Sequence, residues 1–398
     1  MNIGIASPVS LLEFYGYVDT YGARSEELPK GMRAQSVDAI VHEFIKQGHH
    51  VSLYTLDPNV RDIVCYKGKQ LSIFIAPHHL QNKLLNYLTI FKFRKSEVIR
   101  MISMDDIKLD VLHAHWTREY ALGAIYFKNI IPVVVTVRDW MPQILKTNKY
   151  HLFWLCNWIM DRKVFKTTGI TIIANSEYIQ NQILKRWRLN TVVIPNPISH
   201  SFLTQPICFK SDNSNFRIIS ISNTITPNKN IETLLKAFYL FLYKCNKAEL
   251  YLVGSDFNEN NDTVKKWKQK GLLNRVKLIG HINHDELIAI IDESDVLAHP
   301  SFEESFGNIL LESISRCRPV IAGVKSGAVP YVLAHGNFGL LCDISNSNEL
   351  AKALNECYDN YNVYLAKAQC GRNYISINNN VTQIAKKTIE LYKKVIKK

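Results

Sequence analysis

Apolar residues along this chain come in short, continuous runs rich in Val and Ile, and between the runs they fall three and four apart. The runs Ile3–Ala6, His50–Tyr54, Leu71–Ala76, Val111–His115, Val133–Val137, Ile170–Ala174 and Val192–Ile194 have the length and composition of strands. Segments such as Ala34–Gln47 and Glu119–Lys128 between them carry helical spacing. Strands apolar on both faces and separated by helices predict a parallel sheet covered on two sides.

The scheme then repeats. Strands are predicted at Arg217–Ile221, Leu250–Val253, Val276–Ile279, Val296–His299, Val320–Ala322 and Leu340–Cys342. Helices are predicted at Ile231–Lys244, Asp285–Asp292, Gly307–Arg316, Val329–Ala334 and Asn348–Tyr358. Between the halves, IPNPISHSF (Ile194–Phe202) interrupts the periodicity with two prolines and an asparagine. The pattern predicts an α/β chain of two Rossmann-like domains facing each other across a cleft. Residues 1–197 form the first, 198–375 the second, and a helix over 376–398 packs back on the first. Open parallel sheets bind ligands beyond the carboxyl ends of their strands, which directs the chemistry into the cleft.

Composition agrees with two domains. At 398 residues, 47% of them hydrophobic, the chain can fill two cores. No apolar run reaches the roughly 18 residues of a membrane helix, and HLFWLCNWIM (His151–Met160) reads as a buried helix. MNIGIAS reads as a first strand and not as a leader, so a cytosolic protein is expected. The eight cysteines are scattered without a CxxC pair, which points to reduced, buried thiols and away from a zinc site.

A formal charge of +13 calls for an acidic partner: nucleic acid, anionic lipid or a phosphorylated small molecule. No RNA-binding aromatic box, zinc finger or helix-turn-helix is present, so nucleic acid is not expected. IAKKTIELYKKVIKK places six lysines between Lys386 and Lys398, either a solvated helix face or a membrane-facing one. In KLLNYLTIFKFRKSEVIRMI (Lys83–Ile102), Leu84, Leu85, Leu88 and Phe91 follow helical spacing, with Lys92, Arg94, Lys95 and Arg100 nearby. That segment is a packed helix with a solvated basic edge, or a face for an anionic membrane surface.

The most informative stretch is PSFEESFGNILLE (Pro300–Glu312) after the strand Val296–His299. Ser305 is placed as an N-cap. The amides of Phe306, Gly307 and Asn308 would then lack intrahelical partners and suit a diphosphate, aided by the helix dipole. Gly307 allows close approach. Glu304 and Glu312 are acceptors for hydroxyls of a sugar or ribose. Taken alone, the two glutamates read better as a helix cap, Glu304, and half of a surface pair, Glu312.

Their surroundings change that reading. Glu304 and Glu312 form an E-x7-E pattern with Phe306-Gly307 between them, followed by RPVIAGVKSGAVPYVLAHGNFGLLCD. This resembles the retaining GT-B glycosyltransferases of family 4. Upstream, VKLIGHINHDELIAIIDESDVLAHPS and TPNKNIETLLKAF extend the resemblance over most of 217–355. The first half resembles the family through KGMRAQSVDAIVHEFIKQGHHV, DVLHAHW and IPVVVTVRDW.

The resemblance implies that Glu304 touches the donor sugar's hydroxyls and Glu312 the ribose. Phe306, Gly307 and Asn308 would hold phosphate and sugar oxygens through the backbone. Lys229 matches the lysine that neutralises the diphosphate leaving group. Gly31 matches the second of two glycines near the donor phosphates, and His115 a histidine close to the transferred sugar. Three positions and one segment depart from the family: Thr224 replaces the arginine that accompanies the lysine, Lys30 replaces the first glycine, Tyr331 replaces a glutamate, and Thr136-Val137-Arg138-Asp139 replaces a TxHD-like segment. Lys30 or Arg138 could restore the missing charge. Thr224 is kept among the donor-binding positions.

By itself His115 is a strand-end histidine, and the family match makes it a site residue. His113, on the same strand, is expected to point away from the neighbours of His115 or into packing. Arg118 and Asp139 follow strands and are further cleft candidates. No Asp-x-Asp triplet occurs, so neither metal nor cofactor is expected. No carboxylate nucleophile is evident either, and the resemblance implies retention by a same-face route.

The function expected is glycosyl transfer from a nucleoside diphosphate sugar to a saccharide or lipid-linked saccharide, in bacterial-type surface polysaccharide synthesis. The enzyme would be cytosolic, with peripheral contact to the inner face of the plasma membrane. Sugar-nucleotide epimerisation and a non-catalytic binding module are the other two uses of such a fold.

Overall fold

The computed structural model describes residues 1–22, 24, 28, 29, 31, 34–78, 89–147, 151–208 and 215–397. Packing divides the chain into two units, one of Met1–Ser199 with Val381–Lys398, the other of His200–Asn380.

The first unit is built on β1 (Asn2–Ala6), β2 (His50–Asp57), β3 (Val64–Lys67), β4 (Leu71–Pro77), β5 (Val111–His115), β6 (Val133–Val137), β7 (Thr171–Ala174) and β8 (Val192–Val193). Their order is β3-β4-β2-β1-β5-β6-β7-β8, parallel except at the β3–β4 edge. The helices of this unit are α1 (Gln35–Lys46), α2 (Lys92–Met104), α3 (Glu119–Ile125), α4 (Met141–Thr147), α5 (Leu152–Phe165) and α6 (Glu177–Trp187). Alternation along each strand divides the core. Val51 and Leu53 of β2 join Val37, Val41 and Phe44 of α1, whereas Tyr54 and Leu56 join Val98 and Met101 of α2.

The second unit contains β9 (Arg217–Ile221), β10 (Glu249–Val253), β11 (Val276–Gly280), β12 (Val296–His299), β13 (Val320–Gly323) and β14 (Leu340–Cys342). The order β11-β10-β9-β12-β13-β14 is that of a dinucleotide-binding sheet, with every pairing parallel. Its helices are α7 (His200–Thr204), α8 (Ile231–Phe241), α9 (Asp262–Gln269), α10 (His284–Asp292), α11 (Asn308–Ser315), α12 (Val329–Val332), α13 (Ser347–Asp359) and α14 (Tyr361–Asn378). Three buried or half-buried arginines fasten the start of this unit. Arg316 forks onto Asp292 and donates to the carbonyls of Phe202, Gln205 and Pro206. Arg318 bonds the carbonyls of Ile291, Asp292 and Cys208, and Arg372 those of Phe202, Leu203 and Ser315.

The last helix, α15 (Val381–Ile396), returns to the first unit. Ile384, Ile389, Leu391 and Tyr392 enter the same core as Phe44, while Lys386, Lys387, Lys393 and Lys394 face outward.

Two expectations are corrected, and a third lies in part outside the described residues. Residues 79–88, with most of the apolar side of the Lys83–Ile102 segment, lie outside the described residues. Within α2, Arg94 is buried and is no part of a basic edge. Its Nε donates to the His78 carbonyl, and its guanidinium lies 4.3 Å from the Phe91 ring. All eight cysteines are free, but only Cys156, Cys317 and Cys357 are buried, and Cys208 and Cys370 are exposed.

Candidate active site

In the second unit, strand order reverses between β9 and β12, so the chain leaves the sheet in opposite directions and opens a crevice there. Lys229 comes from the turn Pro227–Lys229 after β9, and Glu304 from the loop after β12. Lys229 Nζ lies 2.7 Å from Glu304 Oε1, and His299 Nε2, at the end of β12, lies 3.1 Å from the same oxygen. Burial alone would raise the Glu304 carboxyl. The His299 hydrogen bond and the Lys229 ammonium outweigh it and hold the group well below the usual carboxylate range. Glu304 is therefore an anion, with Oε1 held by Lys229 and His299.

The loop that carries Glu304 is braced on both sides. The Phe302 amide donates to the Asn228 carbonyl at 2.8 Å, and Asn228 Nδ2 donates to the Glu303 carbonyl at 3.1 Å. The Ala328 amide donates to the Glu304 carbonyl at 2.8 Å. Gly327 makes that approach possible, since a Cβ there would sit 2.4 Å from the Glu304 oxygen.

The helix start differs from expectation. Gly307, not Ser305, is the N-cap of α11, and it is left-handed at φ 86°, where a Cβ is disfavoured. Ser305 and Phe306 precede the helix, Phe306 with its ring buried, and Asn308 is the first helical residue. The amides of this first turn still point along the helix axis toward the crevice end of the sheet. Glu312 lies one turn further on. Burial pushes its carboxyl up to about 7. Thr224 is exposed and contributes only its carbonyl, which accepts from Ser222 Oγ at 2.9 Å. Tyr331 packs edge-on against His335.

The first unit has its own reversal, between β1 and β5. Gly31 is left-handed at φ 65°, its amide donates to Asp57 Oδ2 at 2.6 Å, and a Cβ would fall 2.2 Å from the Val9 carbonyl. Lys30 lies outside the described residues. His115 ends β5, buried, with its Nδ1 accepting from Arg138 Nε at 3.2 Å. Arg138 also donates to Ser36 Oγ and Asn196 Oδ1, both at 2.8 Å. Burial lowers its pKa to about 10, against the opposing charges of Asp139 and Asp38. Arg118 pairs with Asp139 at 3.0 Å. Next to them, Thr117 Oγ1 donates to Asp161, whose carboxyl burial raises to about 7.

His113 is buried, as the expectation of packing had it, and it stands beside His115. Both side chains lie on one face of β5, with ring centroids 4.2 Å apart. Sequence reasoning also missed His299, and the contact of Arg138 with His115. The only available signal for His299 was its position at a strand end five residues before Glu304.

The family model for glycosyl transferases group 1 matches residues 208–376, and that for glycosyltransferase family 4 matches residues 34–202. An uncharacterised glycosyltransferase of Methanocaldococcus jannaschii is 23% identical over 77% of this chain and 80% of its own. The N-acetyl-alpha-D-glucosaminyl L-malate synthase of Bacillus anthracis is 23% identical over 67% and 71%. Among solved structures, sucrose-phosphate synthase from Thermosynechococcus elongatus aligns with a TM-score of 0.76 at 16% identity, covering 100% of this chain and 99% of that one. The Anabaena protein HepE, in complex with UDP and glucose, aligns at 0.66 and 19%, covering 99% and 100%. These structures share the GT-B fold.

Proposed function

Since the chain belongs to the group 1 glycosyltransferases of family 4, we propose that it transfers a sugar, with retention, from a nucleoside diphosphate sugar to a saccharide or lipid-linked saccharide. The observation that carries this reading is the Lys229–Glu304–His299 cluster at the β9/β12 reversal, beside the start of α11. The second unit holds the donor and the first the acceptor. When donor enters, Lys229 turns to the diphosphate and stabilises the charge that grows as the bond from C1 to the phosphate oxygen breaks. Glu304 then accepts from sugar hydroxyls while His299 still holds it. The acceptor oxygen bonds C1 on the same face, and its proton goes to the leaving phosphate.

The uridine nucleotide bound to HepE makes UDP-sugars the first donors to test. The protein is incubated with UDP-, GDP- and ADP-sugars, with and without oligosaccharide or lipid-linked acceptors, and product anomers are assigned by NMR. The reading expects acceptor-dependent transfer with the donor's anomeric configuration kept, and loss of at least about 100-fold in Glu304→Gln. Sugar conversion without acceptor, an inverted product, or an unaffected Glu304→Gln would overturn it. Because no Asp-x-Asp triplet is present, transfer should persist in EDTA, and its abolition with rescue by a divalent ion would count against this scheme.

The outward lysines of α15 and the charge of +13 suit an anionic membrane, and we place the enzyme's work in surface polysaccharide synthesis at such a surface. Co-sedimentation with vesicles should then require anionic lipid, and equal, negligible binding to neutral and anionic vesicles would reject it.

A further inference from the structure

Arg138 departs from the TxHD-like segment that the family resemblance leads one to expect, and the structure gives the departure a use. Its Nε faces His115 Nδ1 at 3.2 Å. A guanidinium has donors and no acceptor. His115 Nδ1 must therefore offer its lone pair, and any proton on a neutral His115 sits on Nε2. Among the described residues no hydrogen bond engages that Nε2.

We propose that Arg138 is a positioning residue that locks His115 as the neutral Nε2–H tautomer, so that His115 meets a ligand oxygen only as a hydrogen-bond donor. The proposal rests on the reading that His115 belongs to the transfer site.

Three further observations support the lock. Arg138 is itself fixed, with Nη1 bound to Ser36 Oγ at the start of α1 and to Asn196 Oδ1 after β8. The His115 ring is backed by His113, which is held at both nitrogens, by Tyr392 Oη of α15 at 2.5 Å and Thr136 Oγ1 of β6 at 2.7 Å. Those two hydroxyls fix the plane of His113, and its ring limits rotation of His115. Finally, the charges about His115 disfavour a second cation. Burial, His113 and Arg138 all lower its pKa, and the acids in this region, Asp38 of α1 and Asp139 after β6, act on Arg138. An imidazole so held cannot take a proton from an attacking hydroxyl through Nε2. It can donate to a sugar hydroxyl or ring oxygen, which leaves proton removal to the leaving phosphate.

The test uses the full chain labelled with 15N-histidine, with His115 assigned by loss of its signals in His115→Gln. Long-range 1H–15N spectra should show the neutral Nε2–H pattern for His115 without titration between about pH 5.5 and 8. In Arg138→Met, Nδ1–H signals should appear or His115 should begin to titrate, and kcat should fall by about tenfold or more with donor KM within about twofold. Arg138→Lys, which keeps a donor, should restore part of both. A wild-type His115 that titrates in that range or carries its proton on Nδ1 overturns the proposal, even if Arg138→Met does not fold. So does an unchanged tautomer in a folded Arg138→Met. Undiminished transfer by His115→Ala instead overturns the underlying placement of His115, which the spectra read separately.

Discussion

Two glutamates on either side of the Gly307 turn titrate in opposite directions because their surroundings differ. Glu304 has His299 and Lys229 against it and stays ionised; Glu312 is raised by burial alone, to about 7. For Glu312 the folded pKa lies above the unfolded one, so folding takes up a proton. Its favourable contribution is complete below about pH 4 and is lost as pH rises through about 7. The penalty at about pH 8 is on the order of 1–3 kcal/mol. Glu312→Gln is therefore expected to raise the melting temperature at about pH 8 and leave it unchanged at about pH 5, while weakening nucleoside diphosphate binding. Equal melting shifts at both pH values would dispose of this account. Glu304 has the reverse linkage: its stabilisation is present above the unfolded carboxyl pKa and lost as pH falls.

The residue scale is also where sequence reading reached least far. Lys229 and Glu304 are 75 positions apart, and their 2.7 Å contact follows only from β9 and β12 being neighbours in the sheet. The pattern of strands implies such a reversal without saying which side chains meet across it. Arg138 was in view as a residue just after a strand, but its hydrogen-bond partners are tertiary, and His299 entered only as the end of a predicted strand. Ser305 was the better N-cap by residue type. It lost to Gly307 because the loop needs a left-handed residue where it turns into α11.

Elements were more legible where burial dictates them. The strands at Val111–His115, Val133–Val137 and Val296–His299 match the apolar runs that predicted them, since both faces of each are covered. β3 was not predicted: VCYK is too short and polar, and pairs antiparallel at an edge with one neighbour. α9 offers only Val264 and Trp267 as apolar anchors. Two substitutions test what the elements require. Gly307→Ala places a Cβ 3.0 Å from Leu310 Cδ1 on left-handed backbone and should cost about 1–2 kcal/mol. It should also weaken donor binding in calorimetry; unchanged stability and affinity would show that the turn tolerates a side chain. Asp292→Ala strips the fork from a fully buried Arg316 and should destabilise the second unit by about 3–5 kcal/mol in denaturant unfolding. A loss below about 1 kcal/mol would mean that the carbonyls of Phe202, Gln205 and Pro206 suffice for that charge.

For the whole molecule, the decisive feature is that the chain crosses between units twice, at 199/200 and 380/381. Each unit buries its own strands, so the two need not unfold together. Removing residues 381–398 deletes Ile384, Ile389, Leu391 and Tyr392 from the first core and uncovers α1. Calorimetry should show the transition of the first unit lowered or lost, with that of the second unchanged. A single transition shifted as a whole would instead mean that the units unfold as one.

The return of α15 also sets an order of events during synthesis. The first unit's sheet strands leave the ribosome early, yet one flank of α1 must wait for a helix made after the whole second unit. For that interval, at about 5–20 residues per second, the flank of Phe44 and its neighbours that α15 covers stays open. A nascent chain arrested near residue 380 is accordingly expected to engage chaperones through its oldest half, and a bulky fusion placed after α15 would act on the part of the protein that was translated first.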